Sequence, residues 1–207
     1  MATTTTNYGF DIPQSTDLVK DGATAIATLG QDIDTAMNTA LGTKKAGMVL
    51  LNTTSFSAVG SVSLPANTFV TTYDNYQIVF SGLTSTACDI NVRLRAAGTD
   101  NSTANSYITQ SLVSSNTTVS AGRTTNNLWQ YVSTFDTTLV NALVMDLFDP
   151  FLATPTGFSV NGVRSSSGGW TNTVVGTHNQ TVSYDSMTFI CSTGTFTGKV
   201  SVYGRNK

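Results

Sequence analysis

His178 is the only histidine in a chain of 207 residues. A histidine metal cluster from one chain is therefore excluded, and serine–histidine–aspartate chemistry would rest on this single residue in the polar stretch 176–179. A turn position is its expected role. Asp146 and Asp149 stand close in sequence, and glycoside hydrolysis needs two carboxylates flanking one bond. Residues three apart on a strand face opposite sides, so this pair does not converge. With 12 acidic residues in the whole chain and no catalytic constellation among them, the expectation is a protein that is not an enzyme, with no cofactor and no metal.

Binding is a better prospect than catalysis. The polar stretches 98–105, 114–118, 123–127 and 165–170 read as loops, and glycan recognition draws on Asn, Asp and Ser hydrogen bonds beside an aromatic face. Asp100, Asn101 and Trp170 form the candidate ligand loop, with Trp129 a weaker aromatic candidate. Cys88 and Cys191 fall within alternating apolar patterns and read as buried thiols, because two cysteines in a protein made in the cytoplasm do not constitute a disulfide framework. The Asn-x-Ser/Thr triplets at Asn52, Asn101, Asn116 and Asn179 follow from a composition rich in Asn and Thr.

The elements that would position these residues fall into two groups. Residues 1–15 show no periodicity and read as a tip that is disordered alone, yet Tyr8, Phe10, Ile12 and Pro13 supply apolar anchors and a turn-fixing ring suited to docking. Residues 16–41 read as a helix, capped by Ser15 or Thr16, with Asp17 in its first turn and Gly42 past its end. Val19, Gly22, Ile26, Leu29, Ile33, Ala36 and Ala40 follow steps of three and four, the spacing of a coiled-coil seam. A glycine-flanked hinge at 42–47 leads into a second domain, giving domains at 1–45 and 46–207.

From residue 46 onward the pattern has period two, with turn clusters suited to an antiparallel β-sandwich of jelly-roll type. Tyr76, Ile78 and Phe80 form one inward row, and Ile90, Val92 and Leu94 another; the short link between these segments predicts a hairpin. Other strands are expected near 106–113, 128–135, 139–148, 157–163, 172–176, 186–191 and 195–203, and the nearly continuous apolar run of 139–148 predicts burial on both faces. Charged residues make up only 11% of the chain, well under the roughly 25% of an ordinary soluble domain, so the surface is polar and weakly charged. A net charge of -2 offers no cationic field for nucleic acid. The opening residues lack the features of a signal peptide, and no apolar run approaches the roughly 18 residues of a membrane span.

The stretch TTNYGFDIPQSTDLVKDGATAIATLGQDIDTAM resembles the opening of bacteriophage tail and appendage proteins, in which a Tyr-Gly-x-x-x-Pro element precedes Asp-Leu-Val-Lys-Asp-Gly and a short helix. YDNYQIVFSGL, INVRLRAAGTD and the ending FTGKVSVYGRNK resemble phage fibre-tip domains in pattern. The resemblance implies a homotrimeric virion protein that docks on other virion proteins through its amino-terminal part. Its β-sandwich would face a host surface glycan or protein. A tail or baseplate fibre is the leading expectation. A head fibre or decoration protein of the capsid and a soluble carbohydrate-binding module are the alternatives.

Overall fold

The computed structural model describes residues 3–6, 8–12, 18–41, 47–115, 117–137, 141–164 and 170–205. The chain divides into two compact units, Met1–Ala46 and Gly47–Lys207.

The first unit holds two short strands and one helix: β1 Thr3–Thr4, β2 Asp11–Ile12 and α1 Val19–Leu41. The tip is not structureless, contrary to its lack of periodicity. β1 and β2 pair antiparallel, with Thr3 opposite Ile12 and Thr4 opposite Asp11. The Thr5 side chain closes this hairpin by accepting from the Phe10 amide at 2.9 Å. A two-residue ladder has too few alternating positions to register as periodicity. The helix starts at Val19 rather than 16, with the Leu18 carbonyl accepting from the Gly22 amide at 3.1 Å. The expected caps Ser15 and Thr16, together with Pro13, Asp17 and the hinge 42–46, lie outside the described residues.

The second unit is an antiparallel β-sandwich. Its strands are β3 Met48–Val59, β4 Ser61–Ser63, β5 Asn75–Thr84, β6 Cys88–Ala96, β7 Thr99–Asp100, β8 Tyr107–Ser115, β9 Thr118–Asn126 and β10 Trp129–Phe135. They are followed by β11 Asn141–Phe148, β12 Thr156–Arg164, β13 Trp170–His178, β14 Ser186–Cys191 and β15 Phe196–Arg205. The large sheet runs β3-β15-β5-β11-β12-β13-β8-β9, and the small one runs β10-β6-β14-β4, with β7 beside β6.

Alternation sets the inward faces. Tyr76, Ile78 and Phe80 of β5 are fully buried, as are Ile90, Val92 and Leu94 of β6. These two strands do not form the expected hairpin: β5 lies between β15 and β11 in the large sheet, and β6 lies between β10 and β14 in the small one. The chain instead arches from one sheet to the other, so the two inward rows face each other across the core, where Phe80 meets Phe189 of β14 at 5.1 Å between ring centroids. Phe80 also contacts the rings of Phe56, Phe135 and Phe196, and so centres the core.

β11 is a strand, but it is buried on one face only. Leu143, Met145 and Leu147 point inward, while Val144 and Phe148 are exposed on the outer face of the large sheet. Nor are the cysteines free thiols. Antiparallel pairing of β6 with β14 brings Cys88 and Cys191 to a Cα separation of 6.0 Å, and they form a disulfide. The stretches 114–118 and 123–127, expected as loops, are largely absorbed into β8 and β9. β9 is an edge strand without an inward apolar row, so periodicity could not reveal it. In β15, Gly204 packs directly beneath Tyr73, and a Cβ there would lie 2.6 Å from the ring.

Candidate self-association and ligand surfaces

The seam of α1 is only partly covered within its own unit. Ile26 is 65% exposed and Ile33 is 40% exposed; Gly22, Leu29 and Ala36 are half-buried and Ala40 is exposed. The Val19 side chain lies outside the described set. Gly22 and Gly30 each lower intrinsic helix stability by about 1 kcal/mol, while at Gly22 the absent side chain leaves room for a neighbouring backbone. Tyr8 and Phe10 stack with centroids 5.5 Å apart, and with Ile33, Ala36, Met37 and Ala40 they enclose an apolar groove of about 350 Å³. Two of the expected docking residues are therefore brought to the seam's carboxy-terminal half. Ile12 is exposed on β2.

The three expected ligand residues are not brought together. Asp100 pairs with Arg95 at 2.8 Å and accepts from the Thr188 hydroxyl at 2.7 Å. Arg95 also donates to Ser63 at 2.7 Å and to the Gly98 carbonyl, fixing the β6–β7 turn. Asn101 donates to the Tyr184 hydroxyl at 2.7 Å and accepts from the Thr103 amide at 2.9 Å. The polar groups of both residues thus hold the chain's own turn, beside a shallow open depression that Tyr184 and Val182 also line. Trp170 begins β13 opposite Arg164, whereas the Asn101 turn is tied through Tyr184 to His178 at the strand's other end. Eight residues of strand separate the two ends, about 26 Å. Trp129 is fully buried, with its indole nitrogen donating to the Thr177 carbonyl at 3.1 Å.

His178 is not a turn residue. It closes β13, fully buried, with Nε2 2.6 Å from the Tyr184 hydroxyl and its ring against Tyr107 at 4.0 Å. Burial pushes its pKa down to about 4, with the Ser106 backbone working the other way. Burial likewise raises the Tyr107 and Tyr184 phenols. The Tyr107 hydroxyl accepts from the Leu94 amide and donates to the Asn101 carbonyl. This network is a structural brace beneath the Asn101 turn. Its sequence trace is two tyrosines and a histidine set among Ser, Thr and Asn, which does not disclose that they meet.

Asp146 accepts from Gln77 at 3.3 Å and pairs with Arg205 at 2.6 Å on the outer sheet face, while Asp149 follows β11 with a φ of 55°. Among the described residues no group of three His, Cys, Asp or Glu side chains is placed to hold a metal. No described helix is long and apolar enough to cross a membrane. No protein-family model matches the chain, and neither a curated protein nor a solved structure matches it.

Proposed function

We propose that this protein is a structural subunit of a bacteriophage particle, a homotrimeric tail or baseplate fibre protein. In this reading α1 is its association stalk, residues 1–15 its docking tip, and the β-sandwich the part displayed toward the host. The observation that supports it most is the seam on α1, where Ile26 and Ile33 stay exposed in a single chain although they repeat at heptad spacing. Three copies of the helix would cover that row. The amino-terminal resemblance supplies the particle. The Cys88–Cys191 disulfide fits a protein that works outside a reducing compartment, as a released virion does.

The test is incorporation. A chain lacking residues 1–12 should remain a folded oligomer of the same number of copies yet be missing from purified particles when it is the only form supplied. Incorporation at the full level would remove the docking role, and absence of the intact chain from particles would remove the virion reading.

A further inference from the structure

We propose that the β-sandwich carries a binding site for a single neutral sugar unit, in a polar cavity lined by residues of both sheets, distinct from the Asn101 turn. The cavity has a volume of about 200 Å³ and is lined by Asp89, Ser111, Val113, Tyr131, Thr134 and Asn172. At ~30 Å³ of liquid volume per water, it holds on the order of seven waters, a space suited to one sugar ring rather than a chain of them.

Two features of the lining are at odds with a purely structural role. Asn172 on β13 is only 8% exposed, and its side-chain oxygen has no hydrogen-bond partner among the described residues. A buried acceptor of this kind is normally satisfied, and here it faces a cavity with room for a donor. The second feature is Tyr131. β10 slips register against β6 between Trp129 and Ser133, and within that irregularity Tyr131 takes a φ of 56°, a left-handed conformation that favours glycine. The Asn91 side chain holds the irregularity by accepting from the Tyr131 amide at 3.1 Å. Its result is an aromatic side chain that is 48% exposed at the cavity rim.

The chemistry selects the ligand class. Asp89 and Asn172 present acceptors, with Asp89 already positioned by the Thr134 hydroxyl at 2.6 Å and held at its amide by Ser192 at 2.9 Å. Ser111 adds a hydroxyl, and the Tyr131 ring adds an apolar face. Acceptors that meet ligand hydroxyls, beside a ring on which a C–H face can stack, suit a neutral polyol. None of the six lining residues is cationic, and Asp89 would repel a phosphate or an acidic sugar. One carboxylate is too little charge for a dedicated calcium site. The supporting residues stand on β6, β8, β10 and β13, strands of both sheets, so the site is preorganised. All six lining residues belong to the sandwich, so the site does not depend on the stalk.

The experiment is saturation-transfer NMR on the full chain with a panel of free glucose, galactose, mannose, rhamnose, N-acetylglucosamine and N-acetylgalactosamine. At least one should receive saturation, and its dissociation constant should rise tenfold or more in both Asn172→Ala and Tyr131→Gly. The first variant removes an unsatisfied buried acceptor and the second relieves a left-handed residue, so the thermal midpoint of each should hold or rise while binding falls. Saturation of no sugar in the panel would overturn the site, as would binding that both folded variants retain.

Discussion

The His178 imidazole is enclosed by the Tyr107 ring and the Tyr184 hydroxyl, which makes it a sensor of folded-state protonation. Its pKa is about 4 when folded and 6.5 in the unfolded reference. As pH falls through 6.5 the unfolded chain takes up a proton that the folded chain refuses until about 4. Stability from this group is therefore complete above pH 6.5, declines as pH falls toward 4, and is flat below that. A shift of this size corresponds to about 3 kcal/mol. Urea midpoints measured at several values between pH 7.5 and pH 4 should fall accordingly, and His178→Gln should flatten the slope that remains after the carboxylates' own contribution. An equal slope in the variant would show that His178 is not held neutral. The sequence displays a lone polar histidine but not its burial, because burial here depends on Tyr107, 71 residues earlier in the chain, and on the fold of the segment that returns Tyr184 over the ring. Cys88 and Cys191 were equally opaque: each looked like a buried thiol from its own strand, and only the pairing of β6 with β14 makes them neighbours.

Elements were legible where one face is apolar and the other polar. The inward rows of β5 and β6 were plain for that reason, and so was the helical spacing of α1. Alternation states which side of a strand is buried and says nothing about which strand lies next to it, so the arch from β5 to β6 read as a hairpin. The register irregularity around Tyr131, and with it the polar cavity, leaves no mark at all in periodicity. For α1 the exposure of Ile26 and Ile33 makes a discriminating experiment possible. In the proposed trimer, Ile26→Asp with Ile33→Asp would place charge in an apolar seam between copies, where each unpaired buried charge costs several kcal/mol. Neither position is a core site within one chain, so the variant should stay folded and soluble. Sedimentation equilibrium should report a trimer for the parent chain and a monomer for the double variant. An unchanged trimer mass would locate the association elsewhere.

At the scale of the molecule, every buried apolar side chain among the described residues falls between Val62 and Val202, and the unit containing the tip and α1 contributes none. A sandwich of about 160 residues buries close to 70% of its unfolded surface and has core enough to fold without help. Residues 47–207 alone should therefore be soluble and unfold in one cooperative transition. The Cys88–Cys191 bridge spans 103 residues of that unit, so it removes a large closed loop's freedom from the unfolded chain. Reduction should lower stability by about 2 to 5 kcal/mol without abolishing the fold, since the aromatic cluster around Phe80 remains. Denaturant unfolding of the isolated sandwich, with and without dithiothreitol, checks both statements. A molten oxidised fragment would mean that the sandwich needs the stalk to complete its core. An unchanged midpoint on verified reduction would mean that the bridge constrains nothing the sheets do not already fix.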